Sequence, residues 1–300
     1  MSRWTEADIP DQTGRTVLVT GANSGLGLRT AQVLAARGAH VIMGCRSVQR
    51  GETARRTVKG SAEVLELDLA DLASVRTAAE TTAEKVEKLD VLINNAGIMA
   101  VPNGRTADGF ERQFGTNHLG HAALTFLLLP TLRRSPGARV VTVSSLMHQY
   151  GRMNFDDPNW ERRSYSARSA YCQSKLANLL FARELERRSP DVTSIAAHPG
   201  MTATDLANNM ADAHRSVVMR AGGKLFGLFS QSVEMGALPQ LYAATSPEAH
   251  GGAYYGPGGF NGLRGHPSVA GMTAAARDDL AANRLWELTI KLTGIAPDLP

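Results

Sequence analysis

The chain is expected to fold as an α/β protein, a single doubly wound domain with a parallel sheet of about seven strands and helices on both faces. Three observations predict this. The β-branched apolar run Thr16–Thr20 passes directly into the glycine-rich turn Gly21-Ala-Asn-Ser-Gly25-Leu-Gly27 and then into a helical pattern. The same alternation of strand and helix patterns recurs along most of the 300 residues. No linker or internal repeat interrupts it, so residues 1–300 read as one domain.

Taken in order, the first strand, Thr16–Thr20, leads to a helix over Leu28–Arg37 that Gly38 ends. Glycines in the turn between them let the backbone approach a pyrophosphate, and the helix N-terminus supplies unpaired N–H groups and the positive end of its dipole. The second strand, His40–Gly44, runs into Cys45-Arg46-Ser47. In dinucleotide folds an acidic residue near this strand end holds ribose hydroxyls, whereas Arg accommodates a 2′-phosphate. Ala39 to Gly51 contains no Asp or Glu, and Arg46 is well placed, which favours NADP(H) over NAD(H).

A helix over Val48–Lys59 precedes a strand over Ala62–Leu67 and then Asp68-Leu69. A further helix, Leu72–Lys88, leads to the strand Asp90–Ile93, which ends in Asn94-Asn95-Ala96-Gly97. Small and amide residues at a strand's C-terminal end suit the ligand crevice of an open parallel sheet, although the tetrad alone also fits a plain turn. A long helix is expected over Ala107–Leu132 with Asn117 inside it. Asn is a poor interior helix residue, so it marks a kink or a polar role. His118 and His121 flank it and read as packing or surface residues, with no acidic partner at metal-ligand spacing, so no metal is expected.

The fifth strand, Ala138–Val143, ends in Ser144-Ser145. The polar and aromatic stretch 146–168 reads as a surface excursion that contributes to substrate binding. The next helix carries Tyr171 and Lys175, with Leu176, Leu179, Leu180 and Leu185 as its core face. A Tyr and a Lys four residues apart share one helical face. A phenol ordinarily titrates near about 10, and a nearby ammonium lowers that, so the pair is a proton-transfer device or, more blandly, a half-buried Tyr beside a solvated Lys. A sixth strand, Val192–Ala197, precedes His198-Pro199-Gly200 and Thr204. The segment 205–230, rich in Ala, Met, Phe and Gly, reads as a lid or amphipathic helix over substrate, with a membrane-surface role as the weaker alternative. A helix over Met235–Ala244, a last short strand and turn within Gly251–Pro257, and a final helix over Thr273–Leu292 complete the chain.

Composition narrows the function classes. Apolar residues make up 43% and charged residues 20%, ordinary for a globular domain. The formal charge of +4 is spread along the helices, so a nucleic-acid partner is not expected, while an anionic cofactor is accommodated. The longest apolar patch, Leu124–Leu129, ends at Pro130 and is far short of the about 18 residues a membrane span needs. Met1–Asp11 carries Glu6, Asp8 and Asp11 without an apolar run, unlike a secretory leader. Cys45 and Cys172 are unclustered, which fits a reducing compartment and a cytoplasmic location, with Cys172 a passive small helix residue beside Tyr171.

Several of these features stand together in one order: Thr20-Gly-x-x-x-Gly-x-Gly27, Asn94-Asn-Ala-Gly97, Asn117, Ser145, Tyr171-x-x-x-Lys175 and Pro199-Gly200. The ordered set resembles the short-chain dehydrogenase/reductase family over about residues 14–265. Cys45-Arg46, Tyr-Cys-Gln-Ser-Lys and the long interval from Ser145 to Tyr171 are similar to its retinol-dehydrogenase-like branch. The resemblance implies a Rossmann-type fold and an oxidoreductase that interconverts an alcohol and a carbonyl. Tyr171 would be the acid in reduction and the base in oxidation. Lys175 would lower its pKa and hold the nicotinamide ribose. Ser145, the second of the serine pair, would hold the substrate oxygen, and Asn117 would position a water that links Lys175 to solvent. Gly21, Asn23, Ser24, Gly25, Leu26 and Gly27 would bind the pyrophosphate, and Arg46 the 2′-phosphate. Asp68 and Leu69 would border the adenine, with Asn95, Ala96 and Gly97 beside its ribose. Pro199, Gly200 and Thr204 would wall the nicotinamide. A homodimer through the helices bearing Asn117 and Tyr171 and a monomer both remain open. A non-catalytic NADP(H) sensor and a C=C reductase of the protochlorophyllide-reductase type are the alternative readings. The apolar 205–230 segment points to a hydrophobic substrate.

Overall fold

Side-chain alternation along the strands decides which helical layer each residue meets. In β1 (Thr16–Thr20), Leu18 faces one apolar cluster while Val17 and Val19 face the other. β2 (His40–Cys45) repeats the pattern, with Ile42 on the first side and Val41 and Met43 on the second. The structure is a computed structural model that describes residues 3–202 and 230–299. Thr204 and all of the segment 205–230 except Ser230 lie outside the described residues.

The sheet continues with β3 (Ala62–Glu66), β4 (Val91–Asn94), β5 (Arg139–Val143), β6 (Thr193–Ala197), β7 (Tyr254–Gly259) and β8 (Arg264–Val269). Its order is β3-β2-β1-β4-β5-β6-β7-β8, parallel as far as β7, with β8 antiparallel to β7. It has 8 strands against the about seven expected from the alternation of patterns. The additional strand, Arg-Gly-His-Pro-Ser-Val, has little β propensity. Pro267 faces Pro257 across the pair and the register shifts beside them, an arrangement tolerated at a sheet edge.

Helices α1 (Gly25–Ala36), α2 (Val48–Arg55) and α7 (Val233–Thr245) cover one face. Helices α3 (Leu72–Lys85), α5 (Gly120–Arg133), α6 (Ala167–Arg188) and α8 (Asp279–Thr293) cover the other. The long helix expected over 107–132 is in fact three pieces. Gly109 has a φ of +84°, and Arg105 and Glu111 form an antiparallel bridge, so no helix starts at Ala107. The Glu111 carboxylate caps a short turn, α4 (Arg112–Phe114), by accepting from the backbone N–H of Gln113 at 2.9 Å and of Phe114 at 2.7 Å. A π-helical turn, Gly115–Leu119, then carries Asn117 before α5 begins.

The stretch after Ser145 is irregular, as its polarity suggested, and is tied down at several points. A 3₁₀ turn covers Leu146–Tyr150, and Ser166 caps α6. Trp160 is buried, with the Arg163 guanidinium 3.6 Å from its ring centroid. Gln173 of α6 donates to the Pro158 carbonyl at 2.8 Å and accepts from Arg163 at 2.8 Å. Among the described residues no helix is long and apolar enough to cross a membrane.

Helix α8 packs on the outer side of α5 and α6. Trp286 is 1% exposed, lies 4.7 Å from Phe126 between ring centroids and stacks on Phe181 at 5.8 Å. His118 Nε2 is 3.0 Å from Thr289 Oγ1 of α8, which pins the π-helical turn from outside. Truncating a ring buried in this way removes its transfer energy and leaves a cavity. Trp286→Ala is therefore expected to lose about 3–5 kcal/mol of stability in urea unfolding, and a loss under about 1 kcal/mol would show that α8 is only loosely docked.

Candidate active site

The cleft opens at the C-terminal ends of β1 and β4, where the strand order reverses and helices leave on opposite faces. It has a volume of about 320 Å³. At its floor the turn after β1 needs two glycines for different reasons. Gly21 has a φ of +68°, a region that L side chains rarely adopt. A Cβ on Gly27 would sit 2.3 Å from the Gly21 carbonyl oxygen, so only glycine allows that closeness. Asn23, Ser24, Gly25, Leu26 and Gly27 all line the cleft and bring the N-terminus of α1 to its wall. That combination fits the pyrophosphate of a dinucleotide.

At the far end, Arg46, Asp68 and Leu69 line the cleft, and Arg50 joins them. Arg46 lies between β2 and the N-cap Ser47, and Arg50 lies in the first turn of α2, so both stand at the start of that helix. On the opposite wall, Asn95, Ala96 and Gly97 follow β4. Asn95 Nδ2 donates to the Thr20 carbonyl at 2.7 Å, which locks the tetrad to β1. The tetrad is a built wall of the cleft. Gly44, Leu67, Ile98 and Val143 also line the cleft with backbone or apolar side chains, and Thr116 adds a buried hydroxyl that no sequence pattern marked.

The reactive end is formed by α6. Tyr171 and Lys175 both reach the cleft, 6% and 4% exposed. Burial pushes the Tyr171 phenol up to about 12, against a hydrogen bond with the Ser145 hydroxyl that pulls it down. Burial pushes the Lys175 ammonium down to about 8. Lys175 Nζ lies 5.8 Å from the Tyr171 ring centroid, so its charge stands beside the ring, and it donates to the Val143 carbonyl at 3.0 Å. Desolvation of the phenol is the larger effect, so Tyr171 is held as a protonated donor at neutral pH. Of the two serines, Ser144 lines the cleft, and its Oγ donates to the Lys175 carbonyl at 2.7 Å and braces α6, while the Ser145 hydroxyl is the group that pulls the Tyr171 phenol down.

Asn117 lies behind this wall, fully buried. Its Oδ1 accepts from Ile98 N–H at 2.8 Å, and its Nδ2 donates to the Ile98 carbonyl at 2.9 Å and to Ser174 Oγ at 3.0 Å. The Asn side chain thus ties the chain after Gly97 to α6. Pro199 lines the cleft, whereas Gly200, at a φ of +67°, packs against the Leu263 carbonyl beside it. Cys45 and Cys172 are both buried, and burial raises both thiols, Cys45 to about 11, so neither is poised as a thiolate.

Residues 15–215 match the family described as short chain dehydrogenase. The chain is 41% identical to human retinol dehydrogenase 13 over 299 residues, covering 97% of this chain and 87% of that protein. It is 42% identical to human retinol dehydrogenase 14 over 306 residues, covering 94% and 87%. A crystal structure of a protein from Mycobacterium paratuberculosis superposes with a TM-score of 0.82 at 47% identity and covers 98% of both chains.

The depressed Lys175 has a thermodynamic consequence. Its ordinary value is 10.5 and its folded value about 8, so between these the unfolded chain binds more protons than the folded one. Stability measured against a Lys175→Met variant is therefore expected to rise with pH across that window and to level off on either side. A flat difference from neutral pH to the alkaline limit would show that Lys175 titrates like a solvated lysine.

Proposed function

The chain belongs to the short chain dehydrogenase family, and from that premise we propose that it is an NADP(H)-dependent oxidoreductase interconverting a hydrophobic alcohol and its carbonyl compound. Membership of that family and the likeness to retinol dehydrogenases make it an NAD(P)-dependent oxidoreductase acting on CH–OH and C=O groups. The observation that carries the reading is one cleft with a glycine cradle and two arginines at one end and Tyr171 and Lys175 at the other, with the Ser145 hydroxyl acting on the Tyr171 phenol.

A bound nicotinamide would supply or accept the hydride. This chain's own residues handle the oxygen and its proton. In reduction, Tyr171 Oη gives its proton to the carbonyl oxygen, and its elevated pKa keeps that proton available at neutral pH. The Ser145 hydroxyl holds the same oxygen and stabilises the charge that develops on it. Lys175, charged below about 8, stabilises the tyrosinate left behind in a buried setting where a charge acts strongly. Asn117 keeps the cleft wall and α6 in register.

Carbonyl reduction by NADPH is expected to hold steady at acidic to neutral pH and to fall above about 8 as Lys175 loses its proton. Tyr171→Phe is expected to lower turnover by about 10²–10⁴-fold while leaving NADPH bound. Equal turnover in both proteins would remove Tyr171 from the mechanism. Tight NADPH binding with no carbonyl reduced in either would favour the non-catalytic sensor, and reduction of only the C=C bond of a conjugated substrate would favour the C=C reductase.

Cofactor preference rests on Arg46 and Arg50, with no carboxylate from Ala39 to Gly51 to compete for the ribose. Arg46→Ala and Arg50→Ala are each expected to weaken NADPH binding by about tenfold and NADH binding far less. Equal weakening of both cofactors would remove the 2′-phosphate from their role.

The relatives' names point to retinol, a long apolar alcohol, and support an apolar substrate here. Across a series of straight-chain aldehydes, kcat/KM is expected to rise a few-fold per methylene, on the order of the transfer energy of one CH₂. A preference for small polar carbonyls would overturn the hydrophobic-substrate reading.

A further inference from the structure

His121, the first-turn residue of α5, spans the space between the π-helical turn and the end of β1. Its Nδ1 is 3.0 Å from the Asn117 carbonyl oxygen, and its Nε2 is 2.8 Å from Thr20 Oγ1. The Thr20 oxygen is in turn 2.9 Å from the backbone nitrogens of both Asn95 and Ala96. These contacts fix every hydrogen. A carbonyl only accepts, so His121 Nδ1 must carry the proton. Burial, the larger effect, and the nearby Lys175 push the imidazolium of His121 down to about 4, which leaves Nε2 as an acceptor at neutral pH. The Thr20 hydroxyl therefore donates to Nε2, since its other acceptor, the Ile93 carbonyl, is at 3.4 Å. Both lone pairs of the Thr20 oxygen are then free to receive the two N–H groups of Asn95 and Ala96.

The result is a one-way chain of hydrogen bonds from the cofactor wall, through Thr20 and His121, to the main chain of Asn117. A second link runs beside it. Asn94 Nδ2 donates to Thr125 Oγ1 at 2.9 Å, and Thr125 donates to the His121 carbonyl at 2.7 Å. No other side-chain type offers a donor and an acceptor in one rigid ring at this separation. Phe would fill the space but leave two buried polar groups unmatched.

We propose that His121 is a positioning residue that sets the Asn95–Gly97 cofactor wall against the turn carrying Asn117, acting through the Thr20 hydroxyl. The proposal rests on the reading above that a dinucleotide lies against this wall.

Two measurements test it. The first is ring ¹⁵N NMR of histidine-labelled full-length protein, with the His121 signal assigned by its loss in His121→Phe. The expected state at neutral pH is the neutral Nδ1–H tautomer, and an Nε2–H tautomer or an imidazolium would overturn the chain of donors. The second is NADPH affinity by fluorescence titration. His121→Phe and Thr20→Val are each expected to bind about tenfold more weakly than wild type, and the double variant no worse than the weaker single one. Thr20→Ser, which keeps the hydroxyl, is expected to bind more tightly than Thr20→Val. Additive losses, equal binding by Thr20→Ser and Thr20→Val, or a change under about twofold in His121→Phe would overturn the positioning role. If His121→Phe does not fold, the ring signal is assigned by the remaining histidine substitutions and the two Thr20 variants decide the affinity arm. Failure of wild type to bind either NADPH or NADH would overturn the cofactor reading instead, and the tautomer would still decide the hydrogen-bond chain.

Discussion

The hydrogen bonds at Thr20 hold together the place where this sheet changes direction. β1 and β4 are neighbours, yet their connecting helices leave on opposite faces, so a gap opens at their C-terminal ends. Thr20 closes the floor of that gap with its hydroxyl, which takes the Asn95 and Ala96 N–H groups, and with its carbonyl, which takes the Asn95 side chain. The glycine turn starts at the next residue, and the close approach of Gly27 to Gly21 sets the direction of α1. Cradle and opposite wall are therefore fixed to one strand end, and the cleft between them has a defined width.

Burial is the second organising effect, and it acts on the chemistry directly. Tyr171 and Lys175 are almost entirely enclosed, and desolvation moves each toward its neutral form. The phenol becomes a firm proton donor, while the ammonium is brought close to neutral pH. Ser145 acts in the opposite sense on the phenol. The layers behind supply the rigidity this requires. Ser144 braces α6, Asn117 ties the cleft wall at Ile98 to α6, and α8 closes the outside of α5 and α6 through Trp286.

Much of this was legible in the residue pattern. Strand runs such as Thr16–Thr20 and glycine stops such as Gly38 act locally, so their positions transferred to the fold within a few residues. Arg46, Asp68 and the Asn95–Gly97 stretch stood at strand ends, and the switch in sheet order carried them into one cleft. Asn117 was conspicuous because it opposes helix formation, and it sits in a π-helical turn with a polar task. Reading failed where distant contacts overrule local preference. β8 forms from a Pro- and Gly-containing segment because β7 offers it an edge. The helix expected from Ala107 yields to the Arg105–Glu111 bridge and the Glu111 cap.

The sequence by itself determined the doubly wound class and the glycine turn after the first strand, while Tyr171 and Lys175 were singled out by the resemblance of the ordered motifs to a family and not by their spacing. Periodicity, turn chemistry and short spacings act over a few residues and need no distant partner. Only the tertiary structure decided that desolvation moves both Tyr171 and Lys175 toward their neutral forms, that Arg50 joins Arg46, and that His121 bridges Thr20 and Asn117. Each of these depends on groups from separate elements meeting in a space from which water is excluded. There the direction of one hydrogen bond or the loss of one hydration shell outweighs anything the chain prefers locally.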